Sequence, residues 1–68
     1  MKEIKINTDI IKLDSFLKWA GITTQGSDAK FIIQNGEVKL NGEVETRRGK
    51  KLIKGDVIEF EEETYKLI

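Results

Sequence analysis

Near the N-terminus Ile4 and Ile6 alternate with Lys5 and Asn7, the period-two pattern of a half-buried strand. Asn7-Thr8-Asp9 then offers the short polar residues that open a turn or a helix. From about Lys12 to Ala20 the period changes. Leu13, Phe16, Leu17 and Ala20 recur at helical spacing and line one face. Gly21 is a fitting stop, because glycine takes the left-handed conformation without a Cβ penalty. Thr23 to Gly26 read as loop. Ser27 is a suitable N-cap for a second helix, with Asp28 placed near its positive end. That helix turns Ala29, Ile32 and Ile33 inward and stops at Gly36. Val38 to Leu40 and Val44 flank Asn41-Gly42, the strongest short signal for a type I′ hairpin. Lys50 to Lys54 read as a connecting segment and Gly55-Asp56 as a turn. Val57, Ile58 and Phe60 form a strand, and Tyr65 to Ile68 a last one, with Glu61-Glu62-Glu63 between them. The predicted fold is α+β: two short helices packed on a small antiparallel sheet, with an added N-terminal strand. Phe16, Leu17 and Phe60 are expected in its core.

Composition narrows the chemistry. Sixty-eight residues suit a single domain over 1–68 with a thin core. There is no Cys for a disulfide and no His for an ordinary zinc site. The same absences remove the commonest general base and the thiol nucleophile, and the carboxylates show no paired arrangement. No catalytic residue, metal or cofactor is therefore expected. The N-terminus alternates charged and apolar residues instead of carrying a hydrophobic block, and no apolar run approaches transmembrane length. The expectation is a soluble cytoplasmic protein with no membrane partner.

Net charge is zero, from 12 basic and 12 acidic residues, which argues against a general nucleic-acid binder. The distribution is uneven, however. Arg47, Arg48, Lys50, Lys51 and Lys54 share one acid-free window, while Asp56, Glu59, Glu61, Glu62 and Glu63 stand against Lys66 alone. A neutral total can hide a basic patch and an acidic one.

Lys12-Leu13-Asp14, Ala29-Lys30, Ile33-Gln34-Asn35-Gly36-Glu37-Val38-Lys39-Leu40-Asn41-Gly42 and Gly55-Asp56 follow one another in a fixed order. That series resembles the RNA-binding domain first recognised in small-subunit ribosomal protein S-four, the αL RNA-binding motif. The family pattern is a basic residue, Leu and Asp before a helix, Ala and a base on a second helix, Ile-x-x-Gly-x-Val-x-Val-Asn-Gly, and a closing Gly-Asp. The likeness covers nearly the whole chain. Val44 to Leu52 and the strand from Lys2 to Ile6 are similar to the stand-alone bacterial YaaA-like members. Many members carry Ser-Arg just before the second helix, where this chain has Gln25-Gly26.

The resemblance implies non-catalytic binding of structured RNA, ribosomal or transfer RNA, in ribosome assembly or ribosome-associated quality control, with ribosomal proteins as further partners. It implies an RNA face built on the two helices, with Lys12, Lys18, Lys30 and Gln34. Arg47, Arg48, Lys50 and Lys51 would lie nearby on the sheet side. Gln25-Gly26-Ser27 could cradle a phosphate with backbone N–H groups where the family's Arg is absent. Each has a plainer reading as solvated surface or loop, but a bend between strands does not need the four bases from Arg47 to Lys51. Trp19 and Phe31 could stack on unpaired bases, although packing at the rim of a small core is the commoner use. Asp14 suits a local cap or an ion pair with Lys18, and Asp56 is a turn residue first. Glu61 to Glu63 suit a solvated hairpin tip, and could also meet a basic ribosomal protein. The rival reading is a protein-interaction module that keeps the fold with little RNA affinity.

Overall fold

A computed structural model describes residues 1–25 and 27–68, and Gly26 only through the bounds of its helix. The elements are β1 (Lys2–Ile4), β2 (Ile10–Lys12), α1 (Leu13–Trp19), α2 (Gly26–Gln34), β3 (Lys39–Leu40), β4 (Glu43–Val44), β5 (Lys51–Ile53), β6 (Val57–Phe60) and β7 (Glu63–Leu67). Five strands form one sheet in the order β1-β7-β6-β3-β4, and β2 pairs with β5 in a separate two-stranded ribbon.

The two helices sit where the apolar period puts them. Leu13, Phe16 and Leu17 of α1 are buried, as are Ala29 and Ile33 of α2. They close on Leu52, Ile58 and Leu67 from the strands, and on Ile6 and Val38 beside β1 and β3, each nearly or fully out of solvent. Gly21 (φ 77°) and Gly36 (φ 77°) end the helices in the left-handed region. The Gly21 N–H donates to the Lys18 carbonyl, and the Gly36 N–H to Ile33. The β3–β4 turn has Asn41 at φ 50° and Gly42 at φ 89°, the positive pair a type I′ hairpin requires.

Several expectations change in detail. Helix α2 opens at Gly26, so Gln25 is its N-cap and Ser27 lies inside the first turn. Gln25 is extended, its carbonyl accepts the Ala29 N–H, and no side chain caps the helix. Phe60 is half-buried at the rim, because it stands beside the β6–β7 turn at the sheet's open end. The N-terminal strand joins the sheet parallel to β7, while the other pairs are antiparallel. Parallel neighbours need a long crossover, and everything from β2 to β6 serves as one. The segment taken as a connector, Lys50 to Lys54, contains β5, whose partner is β2. Ile10-Ile11 and Leu52-Ile53 are too short to show a period, and their pairing joins distant parts of the chain.

Candidate nucleic-acid interface

The basic segment is stitched to the start of α1. The Leu13 N–H donates to the Lys50 carbonyl (2.8 Å) and the Asp14 N–H to the Arg48 carbonyl (3.1 Å). Two of the donors that any helix leaves free at its N-terminus are thereby used. That end of α1 is not an open phosphate cradle; it is an anchor that holds Arg48 and Lys50 against the helix.

The ribbon brings Lys12 and Lys51 together. They are direct cross-strand partners, as are Ile10 with Ile53 and Ile11 with Leu52. Leu13 bonds across to Lys50, and antiparallel pairs alternate between bonded and non-bonded positions. Lys12 and Lys51 therefore occupy a non-bonded position, where facing side chains stand closest. Like charges placed directly opposite repel and cost stability. Ile11 and Leu52 turn inward, leaving an outer face of two lysines and the exposed Ile10 and Ile53. A strand pair that opposes two lysines is well suited to a phosphate and poorly explained by folding alone.

Arg47 belongs to a different arrangement. Its backbone N–H, Nε (2.9 Å) and Nη2 (3.0 Å) all donate to the Glu45 carboxylate. The hydrogen bonds from the Arg47 side chain hold the Glu45 carboxyl well below the usual carboxylate range, at about 2, and the charge of half-buried Lys50 adds to this. The same contact raises the Arg47 pKa. Within the four-base segment Arg48 and Lys51 are exposed and outside any ion pair, Lys50 is half-buried, and Arg47 is held by Glu45. Among the described residues, Arg47 is the one base in an ion pair.

Asn41 and Asp56 support this edge from below. Asn41 Nδ2 donates to Asp56 Oδ1 (3.2 Å), and the Val57 N–H donates to Asn41 Oδ1 (2.9 Å). Asp56 Oδ2 accepts the Ile53 N–H (2.9 Å). The two turn motifs are therefore bonded to each other and to the end of β5, as expected of Asp56 in a turn role.

On α2, Ser27, Lys30 and Gln34 are exposed and spaced to share one flank, while Asp28 and Ile32 share the other. Phe31 lies between them on the crest and is 67% exposed, so it is not packed at the core's rim. Gln25 is exposed at the helix entry; Gly26 lies outside the described residues. Lys18 is exposed on α1, and its expected ion pair with Asp14 does not form among the described residues. Asp14 Oδ1 instead accepts the Ser15 N–H (2.7 Å). Trp19 Nε1 donates to the Lys5 carbonyl (2.9 Å), which pins the indole against the N-terminal segment in the rim role. Helix α1 packs on α2 and continues directly from β2, so the ribbon and both helices form one connected side.

Sequence reasoning singles out Lys12 and Lys51 separately and misses their pairing: Ile10-Ile11-Lys12 and Lys51-Leu52-Ile53 mirror each other, but neither segment shows that it faces the other. No helix among the described residues is long and apolar enough to cross a membrane. No cluster of acidic, His or Cys side chains there could hold a metal.

Comparison with known proteins places the chain. Residues 4–68 match the S4 domain family. RlbA of Bacillus subtilis (strain 168), named a probable ribosome maturation protein, is 45% identical over 58 residues, spanning 85% of this chain and 82% of RlbA. YbcJ of Escherichia coli (strain K12) is 38% identical over 50 residues, 74% of this chain and 71% of YbcJ. The solution structure of E. coli YbcJ, described as revealing an αL motif involved in RNA binding, superposes with a TM-score of 0.74 at 29% identity, covering 100% of this chain and 87% of that one. The fold also recurs in ribosomal protein S4e of Thermoplasma acidophilum, with a TM-score of 0.73 at 24% identity over 88% of this chain and 32% of that one.

Proposed function

The chain belongs to the S4 domain family, and on that premise we propose that residues 1–68 act as one non-catalytic module that binds structured RNA. The observation that carries this reading is the apposition of Lys12 and Lys51 beside Arg48 and Lys50, all anchored to the start of α1. Double-stranded RNA is recognised largely by shape and by backbone contacts, and phosphate contacts set orientation. A rigid edge of bases serves that purpose even on a neutral protein, because screening confines each charge's influence to about 8–10 Å at ordinary salt.

Lys12, Lys51, Arg48 and Lys50 form the principal phosphate contacts in this reading. Lys18, Lys30, Gln34 and Ser27 extend the surface along the helices, with Gln25 and Gly26 at the entry to α2. Arg47 contributes less, since Glu45 already occupies its guanidinium. Ribosomal RNA in ribosome assembly is the favoured target, supported by the likeness to RlbA, with transfer RNA as the alternative and the cytoplasm as the setting.

The test is a salt titration of binding to purified ribosomal subunits and to bulk transfer RNA. A variant carrying Lys12→Gln, Arg48→Gln, Lys50→Gln and Lys51→Gln should bind weakly with a nearly flat salt dependence. Unchanged affinity in that variant would remove the assignment.

A further inference from the structure

A second feature lies on the opposite flank of α2. An open cavity of about 410 Å³ is bounded by Ile22, Thr23 and Thr24 of the α1–α2 loop, by Asp28, Phe31 and Ile32 of α2, and by Phe60-Glu61 at the β6–β7 turn. Its walls are polar and apolar in about equal part, the apolar share coming from Ile22, Ile32, Phe31 and Phe60. Its side-chain polar groups are two carboxylates and two hydroxyls, with no Lys, Arg, Asn or Gln among them. Thr23 is 8% exposed, and its Oγ1 is buried with no hydrogen-bond partner. Buried hydroxyls in native proteins are nearly always paired, and this one, at the edge of the cavity, keeps both a donor and an acceptor for a partner. Phe31 adds an aromatic face that the core does not use.

We propose that this cavity takes an arginine side chain from a basic polypeptide. Guanidinium is planar, cationic and rich in donors, has no acceptor, and stacks on aromatic rings. Asp28, Glu61 and Thr23 supply acceptors, Phe31 and Phe60 supply ring surface, and Ile22 and Ile32 can cover the methylene stem. Lysine fits less well, because a compact, strongly hydrated ammonium gains less from aromatic walls. A nucleobase would bring its phosphates up to Asp28, Glu61, Glu62 and Glu63. One arginine in an open cleft binds weakly by itself, and exposed Glu62 and Glu63 extend the acidic surface to neighbouring bases of a polypeptide. The protein would then hold RNA on one side and a basic protein segment on the other.

The experiment titrates the full chain, followed by amide NMR, with three probes: a blocked Arg-Gly repeat hexapeptide, its Lys-Gly counterpart and a single-stranded RNA hexamer. The arginine peptide should shift Thr23, Asp28, Phe31 and Glu61 saturably and bind roughly threefold tighter than the lysine peptide. Phe31→Ala, at an exposed position, should weaken it about threefold. Thr23→Val should raise the melting temperature, by removing the orphan hydroxyl, yet weaken the peptide. Asp28→Asn with Glu61→Gln should weaken the peptide and leave ribosomal RNA affinity intact, which separates this inference from the RNA reading. No saturable shifts, equal binding of the two peptides, shifts produced by the RNA hexamer instead, or arginine-peptide binding indifferent to all three variants would each overturn it.

Discussion

Replacing Lys51 by glutamine should make the protein more stable and a poorer RNA binder at the same time. Lys51 faces Lys12 at a non-bonded position of the β2–β5 ribbon, and both side chains are exposed. Removing one of two like charges directly opposite each other is worth about 0.2–1 kcal/mol. For a domain of this size each kcal/mol moves Tm by about 4–8 °C, so the middle of the energy range gives a rise of roughly 2–5 °C. If Lys51 also contacts a phosphate, its loss lowers the slope of log affinity against log salt by about 0.7–0.9. Over a fourfold change in salt, the wild type would then lose about threefold more affinity than the variant. Circular dichroism melts and fluorescence anisotropy on labelled ribosomal RNA measure the two quantities. Lys54→Gln is the control, because Lys54 lies past the end of the ribbon and has no facing lysine. It should change neither. A lower Tm for Lys51→Gln would refute the repulsion, and an unchanged salt slope would refute the phosphate contact.

Glu45→Gln should free Arg47 and steepen the salt slope of RNA binding by up to about 0.9. Because the folded-state pKa of Glu45 is lowered to about 2, the pair stabilises the fold above the ordinary carboxylate range and loses that effect as pH falls through the range toward about 2. An acid titration of Tm should therefore fall less steeply for the Gln variant. Glu62→Gly should stabilise the protein by about 1 kcal/mol in urea melts, since Glu61 (φ 51°) and Glu62 (φ 67°) form the β6–β7 turn in the left-handed region at a Cβ cost. Asn41→Ala should cost about 1–3 kcal/mol, through two side-chain hydrogen bonds and the left-handed backbone at φ 50°. Its RNA affinity should fall only as far as the folded fraction does, measured by binding at a temperature where it remains folded.

Local order decided what could be read along the chain. Leu13, Phe16 and Leu17, or Ala29 and Ile33, reveal a buried helical face because a helix's contacts recur every three or four residues. Gly21, Gly36 and Asn41-Gly42 announce their turns because positive φ is a property of the residue itself. The order of those signals also carried the family resemblance. The functional side was less legible, because charge pairing is a property of space. Nothing near Lys51 in sequence shows that Lys12 faces it, and nothing in four adjacent bases shows that one is already held by Glu45. Phe31 and Phe60 are equivalent as residue types, yet only packing put one on the crest of α2 and the other half-buried at the rim. Composition, period and turn chemistry determined an α+β fold with an uneven charge. Which charges meet, which are cancelled and which hydroxyl is left without a partner were set by long-range pairing, whose contacts depend on the whole fold at once.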